Sequence, residues 1–152
     1  MKTYLATGCA GFIGSNFVHY MLEKHQDIRL INLDKLTYAG NLENLKDIEG
    51  DPRHIFVQGD ICDRELVTRL MEEYDPDYVI NFAAESHVDR SIKNPEIFVE
   101  SNVLGTVNLL QCCKNAWYDA DARTWKEGKK YLQVSTDEVY GALGPEGYFT
   151  ET

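Results

Sequence analysis

The chain has 152 residues, with 25 Asp and Glu against 15 Lys and Arg and a formal net charge of −10. That balance argues against a nucleic-acid partner, because a phosphate backbone is met by clustered Lys and Arg. No apolar run reaches the ~20 residues that span a bilayer, and the first strand begins at the N-terminus, which leaves no room for a signal peptide. A cytoplasmic, single-domain globular protein with no membrane partner is the expectation.

An apolar run, Tyr4-Leu5-Ala6, feeds Thr7-Gly8-Cys9-Ala10-Gly11-Phe12-Ile13-Gly14. A helical pattern follows, with Ile13, Phe17, Met21 and Leu22 on one side. This reads as strand, glycine turn, helix. Glycines allow a tight turn and let a phosphate approach bare backbone, and the helix N-terminus offers unpaired N–H groups and a positive dipole end to an anion. The spacing is G-x-x-G-x-x-G, which taken alone also fits an ordinary turn. The next strand, 28–33, ends in Asp34, about 20 residues past the last glycine, where a ribose-binding carboxylate belongs in a dinucleotide fold. A carboxylate there accepts hydrogen bonds from ribose hydroxyls and repels a 2′-phosphate, which favours NAD over NADP. Lys35 works the other way, since it can neutralise a phosphate.

A loop over 36–41 and a short polar helix to about Glu49 come next. Asp51-Pro52 turns the chain into a third strand, 54–57, which ends at Gly59-Asp60-Ile61. Asp63 fits the N-cap of a helix with Leu66, Leu70, Met71 and Tyr74 inward, stopped by Asp75-Pro76-Asp77. A fourth strand, 78–82, runs into Ala83-Ala84-Glu85-Ser86-His87. Pro95 suits the first position of a long helix to about Trp117. Its apolar stripe (Phe98, Val99, Val103, Val107, Leu109, Leu110, Cys113, Ala116) is wider than one buried face requires. Either a second partner such as another subunit covers it, or its own domain does. A polar, exposed segment, 119–130, leads to a fifth strand, 131–134, ending at Ser135-Thr136-Asp137-Glu138.

Strands alternating with helices predict an α/β fold, a Rossmann-like doubly wound parallel sheet of five strands in the order 3-2-1-4-5. Ligands sit beyond the carboxyl ends of such strands. Gly8 to Gly14, Asp34, Asp60-Ile61, Ala84 to His87 and Thr136 to Glu138 all follow strand ends, so they are expected along one edge. The four cysteines (9, 62, 112, 113) form no C-x-x-C, and the histidines (19, 25, 54, 87) lack zinc-ligand spacing. No metal site is expected, and the cysteines read as reduced.

The segments TGCAGFIGSNF, INLDKLTYAGNLENL, GDICD, NFAAESHVDRSI, SNVLGTVNLL and VSTDEVYG resemble the extended short-chain dehydrogenase/reductases, and within them the nucleotide-sugar 4,6-dehydratases of the dTDP-glucose type. Epimerases of that superfamily usually carry small residues where Asp137 and Glu138 stand, and GDP-mannose dehydratases typically have serine in place of the aspartate. The resemblance implies that bound NAD+ takes hydride from C4 of glucose, water is lost across C5 and C6, and the hydride returns to C6. It implies Glu138 as the base, Asp137 as the acid and Thr136 as hydrogen-bonded to the C4 oxygen. Adjacent carboxyls share such work only if their pKa values are pushed apart. Read from residue types alone, Thr-Asp-Glu equally fits a turn or a helix N-terminus.

The resemblance further implies cofactor contacts at Gly8, Gly11, Phe12, Ile13 and Gly14, and adenosine contacts at Asp34, Lys35, Leu36, Thr37, Asp60 and Ile61. Phe82, Ala83, Ala84, Glu85 and Ser86 run past the cofactor, with Ser86 and Thr136 also touching substrate. Ser101 stands where the family usually has a threonine. Glu85, His87, Asp89 and Arg90 also read as a local ion-pair network. The family's Tyr-x-x-x-Lys, which oxidises C4, and its sugar-nucleotide domain lie past Thr152. Tyr20 and Lys24 match that spacing only by coincidence. The chain is therefore expected to be the NAD-binding piece, 1–152, of a longer homodimeric enzyme with dTDP-glucose as substrate, inactive alone and self-associating through uncovered apolar surface. A non-catalytic NAD-binding module, a UDP-glucose 4,6-dehydratase and a related epimerase or decarboxylase stay open as alternatives.

Overall fold

The structure is a computed structural model describing residues 1–151. Its centre is a five-stranded sheet built from β1 (Lys2–Thr7), β2 (Ile28–Asp34), β3 (His54–Gln58), β4 (Tyr78–Asn81) and β7 (Lys130–Gln133). The order is β3-β2-β1-β4-β7 and every pairing is parallel. This is the expected order, with the fifth sheet strand numbered seventh because a small antiparallel ribbon, β5 (Tyr118–Asp119) and β6 (Thr124–Trp125), intervenes. That ribbon occupies the polar segment expected to be merely exposed. The Tyr118 and Trp125 rings pack at a tilt across it, their centroids 5.0 Å apart and their planes at 52°.

The sheet is buried on both faces because side chains alternate along each strand. Leu5, Ile31, Leu33 and Val79 point to one face. There they meet Leu66, Val67, Leu70 and Met71 of α2 (Arg64–Tyr74), and Leu109, Cys112, Cys113 and Trp117 of α5 (Thr106–Trp117). Ala6, Ile28 and Leu30 point to the other face, against Val18, Met21 and Leu22 of α1 (Phe12–Lys24) and Leu45 of a 3-10 helix, Leu42–Ile48. Asp63 caps α2 as expected, accepting from the Leu66 N–H at 3.0 Å. By helical period Ile13 shares a side with Phe17, Met21 and Leu22. In fact α1 buries Gly14, Ser15, Val18, Met21 and Leu22, and Ile13 is 66% exposed. Small residues at 14 and 15 let the helix approach the sheet, which rotates Ile13 toward the strand ends.

The long helix is less regular than its periodicity suggests. α3 (Val88–Lys93), not anticipated, precedes it. The helix proper runs as α4 (Glu96–Phe98), a π-helical stretch Val99–Gly105, and α5. Pro95 sits at the cap, one residue outside. The wide stripe proves to be two faces of the helix, one turned to the sheet and one not. Leu109 and Cys113 are buried, while Val99, Val103, Val107 and Leu110 stay exposed, together with Leu104. A second apolar surface lies on β7. Ala6, Ile80 and Leu132 form one row across β1, β4 and β7, buried at Ala6 and Ile80 but 56% exposed at Leu132.

Among the described residues no helix is long and apolar enough to cross a membrane. His54 on β3 is held below its ordinary pKa by burial, with Asp51 pulling it back up and His19 pushing it down. Its Nε2 is buried without a hydrogen-bond partner. A depressed folded-state pKa means that the unfolded chain takes up the proton first. Stability is therefore expected to fall as the pH drops below 6.5, and His54→Gln should flatten that slope in urea titrations.

Candidate functional site

A groove of about 340 Å³ lies along the carboxyl ends of β1, β2, β3 and β4. It is lined by Gly8, Gly11, Phe12, Ile13, Gly14, Asp34, Lys35, Thr37, Asp60, Ile61, Phe82, Ala83, Ala84, Glu85, Ser86 and Ser101. Of the expected cofactor residues only Leu36 is absent from the lining; it packs into the core beside α1. Leu33, Ala39, Gly40, Gly59 and Val134 also line it. All five lie inside the quoted family segments, beside residues named there for the cofactor. Thr136, Asp137 and Glu138 lie outside the lining, fully on the surface, in and before a 3-10 turn, Asp137–Tyr140. They follow Val134, which does line the groove.

The glycine turn is built by close contact. Gly8 has φ +70°, and a Cβ there would stand 2.6 Å from the Ala83 nitrogen. At Gly14 a Cβ would stand 2.6 Å from both the Cys9 Cα and the Gly8 carbonyl oxygen. The turn therefore touches the segment after β4 and the start of α1 at once. Gly11 caps α1 without a side-chain hydrogen bond, and the first turn holds no acid. The N–H groups of Phe12, Ile13 and Gly14 have no protein acceptor among the described residues. That end suits an anion.

Asp34 does more than offer a carboxylate to a ribose. It is buried, and its two oxygens accept the N–H groups of Ala10 and Leu36, each at 2.8 Å. One side chain thus ties the glycine turn to the loop after β2. Asn44 Nδ2 adds a second tie, donating to the Ala10 carbonyl at 2.9 Å. Lys35 is not free to meet a phosphate, because its ammonium is paired with Asp60. Burial works against ionisation of Asp60, but the Cys62 N–H and Lys35 outweigh it and hold the carboxyl below its usual range. The Lys35 hydrogen bond to Asp60 in turn raises the lysine. Asp60, Cys62 and Glu100 each place one donor atom within 4.8 Å of the others, a grouping that sequence spacing did not suggest. The Lys35 cation already neutralises Asp60 there, and burial followed by the Asp60 charge pushes the Cys62 thiol up to about 11, which disfavours metal ligation.

The segment after β4 is held from two sides. Thr7 donates to Asn81 and accepts from the Ala83 N–H. Asn102 grips the Glu85 backbone with both ends of its amide, accepting from the N–H and donating to the carbonyl, each at 2.8 Å. Asn102 stands beside Ser101 in the segment SNVLGTVNLL, but no sequence pattern marks a side chain that holds the backbone of a separate segment. Of the suspected ion-pair network, Glu85 and Arg90 pair at 3.5 Å. His87 and Asp89 join no ion pair among the described residues.

A parallel, doubly wound domain with a glycine turn, an uncapped helix N-terminus and an acid ending β2 is a nucleotide-binding architecture. Residues 5–152 match the model of the GDP-mannose 4,6 dehydratase family. The chain belongs to that family. It is 55% identical over its whole length to the dTDP-glucose 4,6-dehydratase of Xanthomonas campestris pv. campestris, and covers 42% of that relative. Two crystal structures of dTDP-glucose 4,6-dehydratases align closely with it. One, from Bacillus anthracis in complex with NAD, has 44% identity and a TM-score of 0.81, covering 99% of this chain and 43% of that one. The other, from Streptomyces venezuelae with NAD and TYD bound, has 44% identity and a TM-score of 0.82, covering 96% and 43%. The chain thus spans well under half the length of the relatives it matches.

Proposed function

We propose that these residues form the NAD-binding part of a dTDP-glucose 4,6-dehydratase and supply its dehydration carboxylates. The observation that carries this reading is the groove: sixteen of the seventeen residues that the family pattern assigns to the cofactor line one surface. In that reading the pyrophosphate lies at Phe12 and Ile13, where α1 presents unpaired N–H groups. Asp34 and Asp60 serve the adenosine end. The Lys35–Asp60 pair removes the one cation that would favour a 2′-phosphate, so the choice is NAD over NADP. Asp137 beside Glu138, where GDP-mannose dehydratases carry serine, supports the dTDP-glucose branch of the family.

NAD supplies the hydride acceptor and donor. This chain's part is to hold the dinucleotide along the strand ends and to place Thr136, Asp137 and Glu138 just beyond Val134. Thr136 then hydrogen-bonds the C4 oxygen, Glu138 takes the C5 proton and Asp137 protonates the departing C6 hydroxyl. The exposed row Val99, Val103, Val107 and Leu110 supports a homodimer packed through this helix. Nothing in the groove's chemistry calls for nucleic acid or membrane, and a cytoplasmic enzyme fits its soluble substrate.

The 152 residues alone are expected to turn over no sugar nucleotide. Joined to the remaining part of the Xanthomonas relative, they are expected to convert dTDP-glucose to the 4-keto-6-deoxy product. A folded, NAD-loaded chimera with no such activity would remove the proposal.

A further inference from the structure

The groove has a crossing that its lining does not include. Tyr38 lies on the loop after β2, between Thr37 and Ala39, which form one wall. Arg90 lies on α3, past Glu85 and Ser86, which form the opposite wall. The Arg90 guanidinium carbon sits 3.8 Å from the centroid of the Tyr38 ring. Its Nε faces Glu85 Oε2 at 3.5 Å. Glu85 is only 8% exposed, and neither its Oε2 nor Arg90 Nε makes a hydrogen bond.

We infer that Tyr38 and Arg90 form a clasp joining the two walls, which retains a bound dinucleotide by slowing its release. The clasp has no other evident work. It buries little apolar area, because Tyr38 is half exposed, and the fold's core lies elsewhere. It links two segments that are otherwise anchored separately, one by Asp34 and Asn44, the other by Thr7 and Asn102. The guanidinium carbon lies over the ring, a contact that tolerates small displacements of either wall. The loose Glu85–Arg90 pair leaves both groups room to tighten when the groove is filled. Retention also suits the chemistry proposed above, on which this inference rests. The hydride taken from C4 returns to C6, so the cofactor is regenerated in place and gains nothing from exchange.

The test is displacement of NAD+ from the chimera with the Xanthomonas remainder by excess ADP-ribose, followed by stopped flow. Tyr38→Leu and Arg90→Gln should each raise the dissociation rate about three- to tenfold, the scale of one guanidinium–ring contact, with little change in the association rate. Tyr38→Phe keeps the ring face and should behave as the parent. The double variant should be no faster than either single one, since both remove the same contact. Dissociation rates unchanged within twofold in both Tyr38→Leu and Arg90→Gln would overturn the clasp while leaving the cofactor reading intact. A rate raised equally by Tyr38→Phe would assign the effect to the hydroxyl and overturn it as well. Failure of the parent chimera to bind NAD+ would instead remove the cofactor reading, and the clasp with it.

Discussion

Gly8→Ala is expected to cost about 2–5 kcal/mol, from left-handed backbone strain and overpacking together. The added methyl would meet the Ala83 nitrogen and Cα and the Phe82 carbonyl carbon, all at 2.9 Å or less. These are backbone atoms of the segment that Thr7 and Asn102 hold, so no side-chain rotation relieves the clash. The glycine turn or the 82–85 segment must move, and both line the groove. Urea denaturation should show a large drop in midpoint, and any folded fraction should bind NAD+ poorly. Gly50→Ala is the control. A Cβ there meets nothing within 4 Å and its φ is not positive, so it should stay within about 0.5 kcal/mol of the parent, as surface changes do.

The second large effect concerns chemistry. In the chimera with the Xanthomonas remainder, Glu138→Gln should leave C4 oxidation in place and block proton removal from C5. Product formation is expected to fall roughly 10²- to 10⁴-fold, the usual worth of a positioned acid or base. Bound NADH should accumulate, because the hydride has no acceptor until water is lost. Asp137→Asn should lower the rate at the same step. A Glu138→Gln chimera that formed product at the parent rate would take the carboxylate out of the mechanism. One that lost the rate with no NADH would place Glu138 in oxidation instead.

Much of the fold was legible because both sheet faces are buried. Runs such as Leu30-Ile31-Asn32-Leu33, broken by polar helices with their own apolar period, fix strand and helix in turn. The strand order is that of the doubly wound dinucleotide fold to which the glycine turn and Asp34 point. The groove was legible because its residues follow strand ends, a property of position in the chain. What stayed hidden depends on departures from period. The π-helical stretch Val99–Gly105 has no periodic signature, and the grip of Asn102 on the Glu85 backbone has none either. Ile13 looked inward because an ideal period ignores how closely Gly14 and Ser15 let α1 approach. Asp34 was read as a ribose ligand, and its two backbone hydrogen bonds carry no sequence signature at all. Lys35 was weighed as a phosphate partner because its pairing with Asp60 joins two different strand ends.

The measurement that bears most directly on the account is a calorimetric titration of the chimera with the Xanthomonas remainder, stripped of cofactor, with NAD+, NADP+ and ADP-ribose. A single NAD+ site is expected, with ADP-ribose bound nearly as well and NADP+ at least about tenfold weaker, since a 2′-phosphate beside the buried Asp34 finds no free cation. Equal affinity for NADP+, or no binding of any of the three, would contradict it.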